Sequence, residues 1–340
     1  MFFYGKILVI VHDKRKLAMD YNPKDSKTAA FRQFKGIWAA VTTPFRKDLS
    51  LDEEGLIHNI RYLTDYLNID GIFCNGVMGE FWALTLEERK TVAELVVSES
   101  KGKCGVIVHT GSHAANDTVI LNDHAAKIGA DYVIMTGPYF PFCTDQMRLN
   151  WLEYINERSN IGIWLFDTPY SGNDPISPNT MDKIADLEKI CGAKLAHSLE
   201  HYIAVNNLCK DRLVLSSPSE KDFLMMIEDY GQQVHQSSAS PYLFQTATSK
   251  PMNKYAELAF DGNFKNAKLI SKEMDAIRLV GKNWLHGSWL KDGILPIAAI
   301  KFWSELLGMA AGPTRTPFLN LDLQKKRYLE EDLRSVGLLQ

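Results

Sequence analysis

From Lys35 onward the chain repeats one pattern eight times: a short β-branched or apolar run followed by an amphipathic stretch of helical period. The runs are Ile37–Thr43, Gly71–Asn75, Val106–Thr110, Tyr132–Thr136, Gly162–Phe166, Ala193–Ala196, Leu213–Ser216 and Gln233–Ser237. Between them Asp52–Leu67, Thr85–Ser100, Ala114–Ile128, Asp145–Glu157, Pro178–Leu187, His197–Leu208 and Ser219–Tyr230 read as helices, several opening on a side chain suited to capping the first turn. Apolar strands alternating with helices form a parallel sheet that those helices cover. Eight such units without a dinucleotide-binding glycine fingerprint favour a closed (β/α)8 TIM barrel over an open sheet.

After Ser240 the strand signal stops. Pro241–Phe260, Asn263–Val280 and Leu290–Leu307 read as helices, broken at Asp261-Gly262 and across Gly281–Gly287. The expected organisation is an N-terminal extension over residues 1–34, the barrel over 35–240, and a C-terminal helical segment over 241–340 packed on the barrel. A length of 340 residues suits one large barrel with additions.

Charge excludes some partners. The 38 basic and 41 acidic residues are interleaved, leaving a net charge of -3 and no basic stripe for nucleic acid. Five cysteines, an odd number without CxxC spacing, suit buried thiols in a reducing compartment. The first eleven residues place apolar residues before positive charge, the reverse of a signal peptide, and no run approaches the ~18 apolar residues of a membrane span. The expected location is cytoplasmic.

In such a barrel the chemistry belongs at the C-terminal ends of the strands. Those ends carry Gly76-Val77-Met78-Gly79-Glu80, Gly137-Pro138-Tyr139-Phe140, Phe166-Asp167-Thr168-Pro169, Lys194, and His235-Gln236-Ser237-Ser238. Lys194 interrupts an otherwise apolar strand, where desolvation costs an ammonium heavily. Burial favours the neutral amine that attacks carbonyls, as Schiff-base catalysis requires. A lysine that snorkels to the rim or pairs with a carboxylate satisfies the same pattern.

Further motifs narrow the reading. Gly36-Ile-Trp-Ala-Ala-Val-Thr-Thr-Pro-Phe45, the Gly76–Glu80 loop followed by Ala83-Leu-Thr85 and Glu87-Glu-Arg89, Gly137-Pro-Tyr139 and Gly192-Ala-Lys194 occur in order. Across roughly Lys35 to Leu319 the chain resembles the dihydrodipicolinate synthase/N-acetylneuraminate lyase family. The resemblance implies a (β/α)8 barrel with C-terminal helices, a homotetramer built as a dimer of dimers, and a Schiff base between Lys194 and a 2-oxo acid such as pyruvate.

The departures from that family are informative. Val77 and Met78 stand where relatives carry hydroxyl side chains in the Gly-x-x-Gly-Glu loop. Phe166 stands in place of a strand-five tyrosine, and Phe140 in place of a tyrosine that in relatives crosses the dimer interface. No arginine near Tyr170-Ser171-Gly172 matches the one that holds the aldehyde in the synthase. General acid–base assistance is worth roughly 10²–10⁴-fold, so authentic dihydrodipicolinate synthesis is not expected.

His235 and Tyr139 are the candidates to replace the missing proton relay, with Tyr170 and His197 as further possibilities; each has an ordinary structural alternative in hydrogen bonding, packing or helix capping. The backbone N–H groups of Val77 and Met78, within the loop opened by Gly76, can hold a substrate carboxylate without side chains. Phe140, Phe166 and Ser237 complete the expected pocket, and Glu80 is expected to support the loop. Trp38, Phe81, Trp82, Phe140, Phe142 and Phe166 would give the mouth an aromatic rim, favouring a bulky or aromatic aldehyde over a sugar acid, although packing of the mouth explains these residues equally. His197 and His201 share a helix face but lack an evident third ligand, so no metal and no cofactor are expected. The expected activity is a lysine-dependent lyase or aldolase acting on a 2-oxo acid, with an aldehyde partner in the synthetic direction. Two alternatives accompany it: a degenerate barrel that binds a small 2-oxo acid as sensor or scaffold, and an enzyme using neutral Lys194 as a general base.

Overall fold

The computed structural model describes residues 21–139, 142–172, 174–287 and 293–339. Eight strands, β1 (Gly36–Ala40), β2 (Gly71–Cys74), β3 (Gly105–His109), β4 (Tyr132–Met135), β5 (Ile163–Asp167), β6 (Ile190–Leu195), β7 (Val214–Ser216) and β8 (Val234–Ser238), form one parallel sheet in the order β7-β6-β5-β4-β3-β2-β1-β8. All eight expected strands are present, β6 beginning three residues earlier than expected.

The barrel closes between β7 and β8 through side chains. The Ser216 hydroxyl donates to the Val234 carbonyl at 2.9 Å and accepts from the Gln236 N–H at 2.9 Å. The Gln232 amide donates to the Val234 carbonyl and accepts from the Ser217 N–H. These bonds satisfy backbone groups that a continuous ladder would otherwise pair.

Helices α1 (Ser26–Gln33), α2 (Glu53–Arg61), α3 (Leu86–Ser100), α4 (Ala115–Ile128), α5 (Asp145–Arg158), α6 (Pro178–Ile184), α7 (Leu199–Cys209) and α8 (Glu220–Tyr230) precede and connect the strands. Caps set their starts: Thr85 and Glu88 form a reciprocal capping box on α3, and Thr144, Ser177 and Ser198 cap α5, α6 and α7. Among the described residues no helix is long and apolar enough to cross a membrane.

Side-chain alternation divides the core in two. One cluster lies between strands and helices; the other fills the barrel with Trp38, Phe73, Ile107, Ile134, Trp164, Phe166 and their neighbours. The two indoles need glycines on the adjacent strands: a Cβ on Gly71 would lie 2.1 Å from Trp38, and one on Gly192 2.4 Å from Trp164.

Residues 21–34, expected only as an extension, pack against the barrel's N-terminal end. Phe34 stacks on Trp38 and Trp164 with ring centroids 3.8 and 4.2 Å away. The Tyr21 hydroxyl donates to the Asp131 carbonyl and accepts from the Gly162 N–H. Gln233 donates to the Phe34 carbonyl at 2.8 Å. Residues 1–20, including the apolar start, lie outside the described residues.

The C-terminal segment contains more helices than expected: α9 (Ser240–Leu243), α10 (Pro251–Phe260), α11 (Phe264–Glu273), α12 (Asp275–Gly281), α13 (Ile297–Leu306) and α14 (Leu323–Ser335). Pro251 starts α10 afresh after a Thr246–Ser249 turn, splitting the expected Pro241–Phe260 helix. Of the expected Leu290–Leu307 helix, Leu290 lies outside the described residues, and the described helix runs from Ile297, after Pro296. The unexpected α14 is capped by Asp322 and buries Leu329 and Leu333 along one face.

Replacing Phe34 by Ala removes a fully buried ring from between two indoles. The expected loss is about 3–5 kcal/mol in unfolding free energy, read as a lower denaturant midpoint by far-UV circular dichroism.

Candidate active site

Alternation along β6 points Lys194 into the barrel near its C-terminal end, level with Phe166 on β5 and Ser216 on β7. Its amine donates to the Ser237 carbonyl at 2.7 Å. It lies 4.1 Å from the centroid of the Phe166 ring and 5.2 Å from that of Phe73. Among the described residues, no carboxylate or imidazole is bonded to it. Burial without a countercharge pushes the ammonium down to about 7, so the neutral nucleophile is available near neutrality.

The Gly76–Glu80 loop lies beside it. The Gly76 carbonyl accepts from the Gly79 and Phe81 N–H groups, closing the turn. The N–H groups of Val77 and Met78 make no hydrogen bond among the described residues, leaving two donors for an anion. Val77 itself packs in the barrel-interior cluster with Phe73 and Phe166.

Glu80 leaves that loop for the C-terminal segment. Its buried carboxylate accepts from Lys301 Nζ at 2.8 Å and from the Arg315 N–H at 2.9 Å. Lys301 also donates to the Pro313 carbonyl, while Arg315 pairs with Glu88. The segment from α13 onward therefore braces the loop, and Glu80 supports it as expected.

His109, which the sequence patterns did not single out, ends β3 inside the barrel and is buried. Its Nε2 lies 2.8 Å from Thr136 Oγ1 and 3.2 Å from the Tyr139 hydroxyl. Arg89 donates to the His109 carbonyl at 2.8 Å and to the Gly111 carbonyl at 3.1 Å. Burial first, and then the Arg89 guanidinium, hold this imidazole well below its ordinary value, so it is neutral near pH 7. Lys194 contributes to the same downward shift. Burial raises the Tyr139 phenol above its usual range.

His235 does not face Lys194's side of the strand. Val234 and Gln236 point inward, and alternation turns His235 toward the helix layer, where its Nε2 lies 3.1 Å from Ser238 Oγ and its ring packs on Phe223 of α8. Burial, then Lys194, pushes it down to about 3. Ser237, the neighbouring candidate, meets the amine through its carbonyl. Phe140 lies outside the described residues.

His197 and His201 each place Nε2 3.2 Å from a different oxygen of Asp167. Burial raises that carboxyl, but the two histidine bonds outweigh it and the net shift is downward. Asp167 is the neighbour that sequence spacing did not reveal. Among the described residues no group of three or more such side chains is arranged to hold a metal ion. Of the expected aromatic rim, Phe81 and Trp82 line a cleft of about 440 Å³, together with Val77, Tyr139, Tyr170 and Leu295. Trp38 is at the opposite end against Phe34, and Phe142 is 70% exposed.

Comparison with known proteins is consistent across the chain. Residues 33–336 match the model of the Dihydrodipicolinate synthetase family. A 4-hydroxy-tetrahydrodipicolinate synthase from Methanococcus aeolicus is 30% identical over 310 residues, 90% of this chain and 100% of that protein. Dihydrodipicolinate synthase from Aquifex aeolicus has a similar fold, with a TM-score of 0.78 at 24% identity over 90% of this chain and 99% of that one. A prophage protein of the dihydrodipicolinic acid synthase family from E. coli K12, solved in complex with pyruvate, gives a TM-score of 0.77 at 23% identity, covering 90% and 99% of the two chains.

Two outcomes follow from this geometry. The rate of Lys194 reaction with a carbonyl probe should rise about tenfold per pH unit below about 7 and level off above it, since only the neutral amine attacks; stopped-flow measurement across pH 5–9 checks this. Replacing Lys301 by Met strands the Glu80 carboxylate in the interior, and equilibrium unfolding should show a loss of about 3–5 kcal/mol.

Proposed function

The chain belongs to the dihydrodipicolinate synthetase family, and from that membership we propose that it is a class I lyase or aldolase in which Lys194 forms a Schiff base with a 2-oxo acid such as pyruvate. Members of the family are lyases and synthases of this type. The observation that carries the proposal is the buried amine, held by one carbonyl and shifted to about 7. The neutral amine attacks the 2-oxo carbon, the carbonyl oxygen leaves as water, and the resulting iminium accepts electrons when a bond at the neighbouring carbon breaks. The Val77 and Met78 N–H groups receive the substrate carboxylate. The Tyr139 hydroxyl, with neutral His109 behind it, moves the proton between substrate and protein. His235 has no part in this scheme, because its ring lies in the helix layer.

Dihydrodipicolinate synthesis itself is not the reaction we propose. Phe166 and Val77 bring no hydroxyl to the amine, and a relay worth roughly 10²–10⁴-fold would be missing for that chemistry. Assembly as a homotetramer built from dimers belongs to the same proposal and rests on family membership.

A second reading, a barrel that binds a 2-oxo acid without turnover, draws support from the Phe73 and Phe166 rings beside the amine, which bring no proton-transfer group to it. One experiment separates the two. Incubation with pyruvate and borohydride should add the mass of a reduced pyruvate adduct at Lys194, and no adduct from a panel of 2-oxo acids would sink the Schiff-base proposal. Turnover that disappears in Lys194→Ala would eliminate the binding-only reading.

A further inference from the structure

The cleft that opens beside the Lys194 cage has a chemical character of its own. Val77 belongs both to its wall and to the interior cluster containing Phe73 and Phe166, so the cleft and the amine's surroundings are continuous. Phe81 stacks on Tyr139 with centroids 5.5 Å apart, and Trp82 meets Phe81 edge-on at 5.5 Å. Tyr170 and Leu295 also line the cleft. A volume of about 440 Å³ is within the range of small-molecule sites.

Its charges are equally specific. Among the described residues Arg89 is the only lysine or arginine in the lining, and its two terminal nitrogens donate to the carbonyls of Gly111 and His109. Asp117 adds negative charge. An aldehyde bearing a carboxylate would meet an Arg89 guanidinium whose terminal nitrogens are already engaged and which has the Asp117 carboxylate nearby, and would incur a desolvation cost that an aromatic ring does not. A polyol would meet aromatic faces where its hydroxyls need partners. Ser112, His113 and Thr136 also line the cleft, and the Tyr139 hydroxyl, held near His109 and Thr136 beside the Phe81 ring, is the polar group assigned to the aldehyde carbonyl in this scheme.

We infer that the second substrate is an uncharged aryl aldehyde, or in the cleavage direction the 4-aryl-4-hydroxy-2-oxo acid that releases it. This rests on the Schiff-base reading of Lys194. In synthesis, pyruvate condenses with the Lys194 amine and loses water. Loss of a C3 proton gives the enamine, whose C3 forms a bond to the aldehyde carbon. The aldehyde oxygen takes a proton from Tyr139, and the C3 proton, passed through the His109 side, restores the phenol. Water then adds to the iminium and releases the hydroxy acid and free Lys194. Atoms balance with pyruvate and the aldehyde as the only net reactants.

The test compares benzaldehyde, succinic semialdehyde and glyceraldehyde as partners of pyruvate on the full-length protein, with products quantified by liquid chromatography and mass spectrometry. Benzaldehyde should give a kcat/KM at least about tenfold above the other two, the scale on which pocket contacts discriminate. Leu295→Arg, which brings a cation to the cleft, should shift the succinic semialdehyde to benzaldehyde ratio at least about tenfold toward the anion. A pyruvate adduct at Lys194 without benzaldehyde turnover, or with faster turnover of the anionic or polyol aldehyde, overturns this inference and leaves the Schiff-base proposal standing. An unchanged ratio in a Leu295→Arg protein with native circular dichroism also overturns it. Absence of the pyruvate adduct removes the Schiff-base reading itself.

Discussion

The desolvation of one amine organises this molecule. Lys194 has to reach the centre of a barrel packed with indole and phenyl rings, and among the described residues no carboxylate is bonded to it there. The Ser237 carbonyl gives it one acceptor, which suits an amine as well as an ammonium. A barrel that tolerated water around this group would leave it protonated near its ordinary value, and the nucleophile would be scarce at neutral pH. The aromatic filling therefore sets the state of this amine, since it excludes the solvent that would stabilise the charge.

Both ends of the barrel are secured by segments outside the eight repeats. At the N-terminal end Phe34 lies against Trp38 and Trp164 and extends the interior stack. At the catalytic end the Lys301–Glu80 pair ties the Gly76–Glu80 loop to the C-terminal helices. A buried ion pair is weak support for stability by itself, because desolvating both charges offsets most of their attraction. Here it fixes position: the same carboxylate also accepts the Arg315 N–H, so loop and helical segment share one register. The donors of Val77 and Met78 are presented by a loop braced in this way.

Much of this was legible in the chain. Eight apolar runs at barrel spacing identify eight strands, and one lysine in an apolar strand marks the buried amine at their C-terminal ends. The rest depended on directions and on distant neighbours. His235 sits on the strand end where a catalytic group belongs, but inside and outside alternate along β8, and its neighbours Val234 and Gln236 take the inward places. His109 lies in an unremarkable Val-His-Thr stretch, and only the pairing of β3 with β4 brings it to Thr136 and Tyr139. Asp167 meets His197 and His201 across β5 and β6, some 30 residues apart in sequence. Phe34 read as the end of a polar extension because nothing local reveals the two indoles that receive it.

By itself the sequence determined the fold class and the lysine, because hydrophobic period and an isolated cation in an apolar strand are local properties that each run expresses alone. Only the tertiary structure decided which polar groups share the site. Barrel closure sets which strand ends meet, and burial, which is a property of the assembled interior, sets whether a lysine or a histidine carries its proton. The same residue types at the same spacing, with β6 and β8 each turned by a single residue, would have placed Lys194 against the helices and His235 inside.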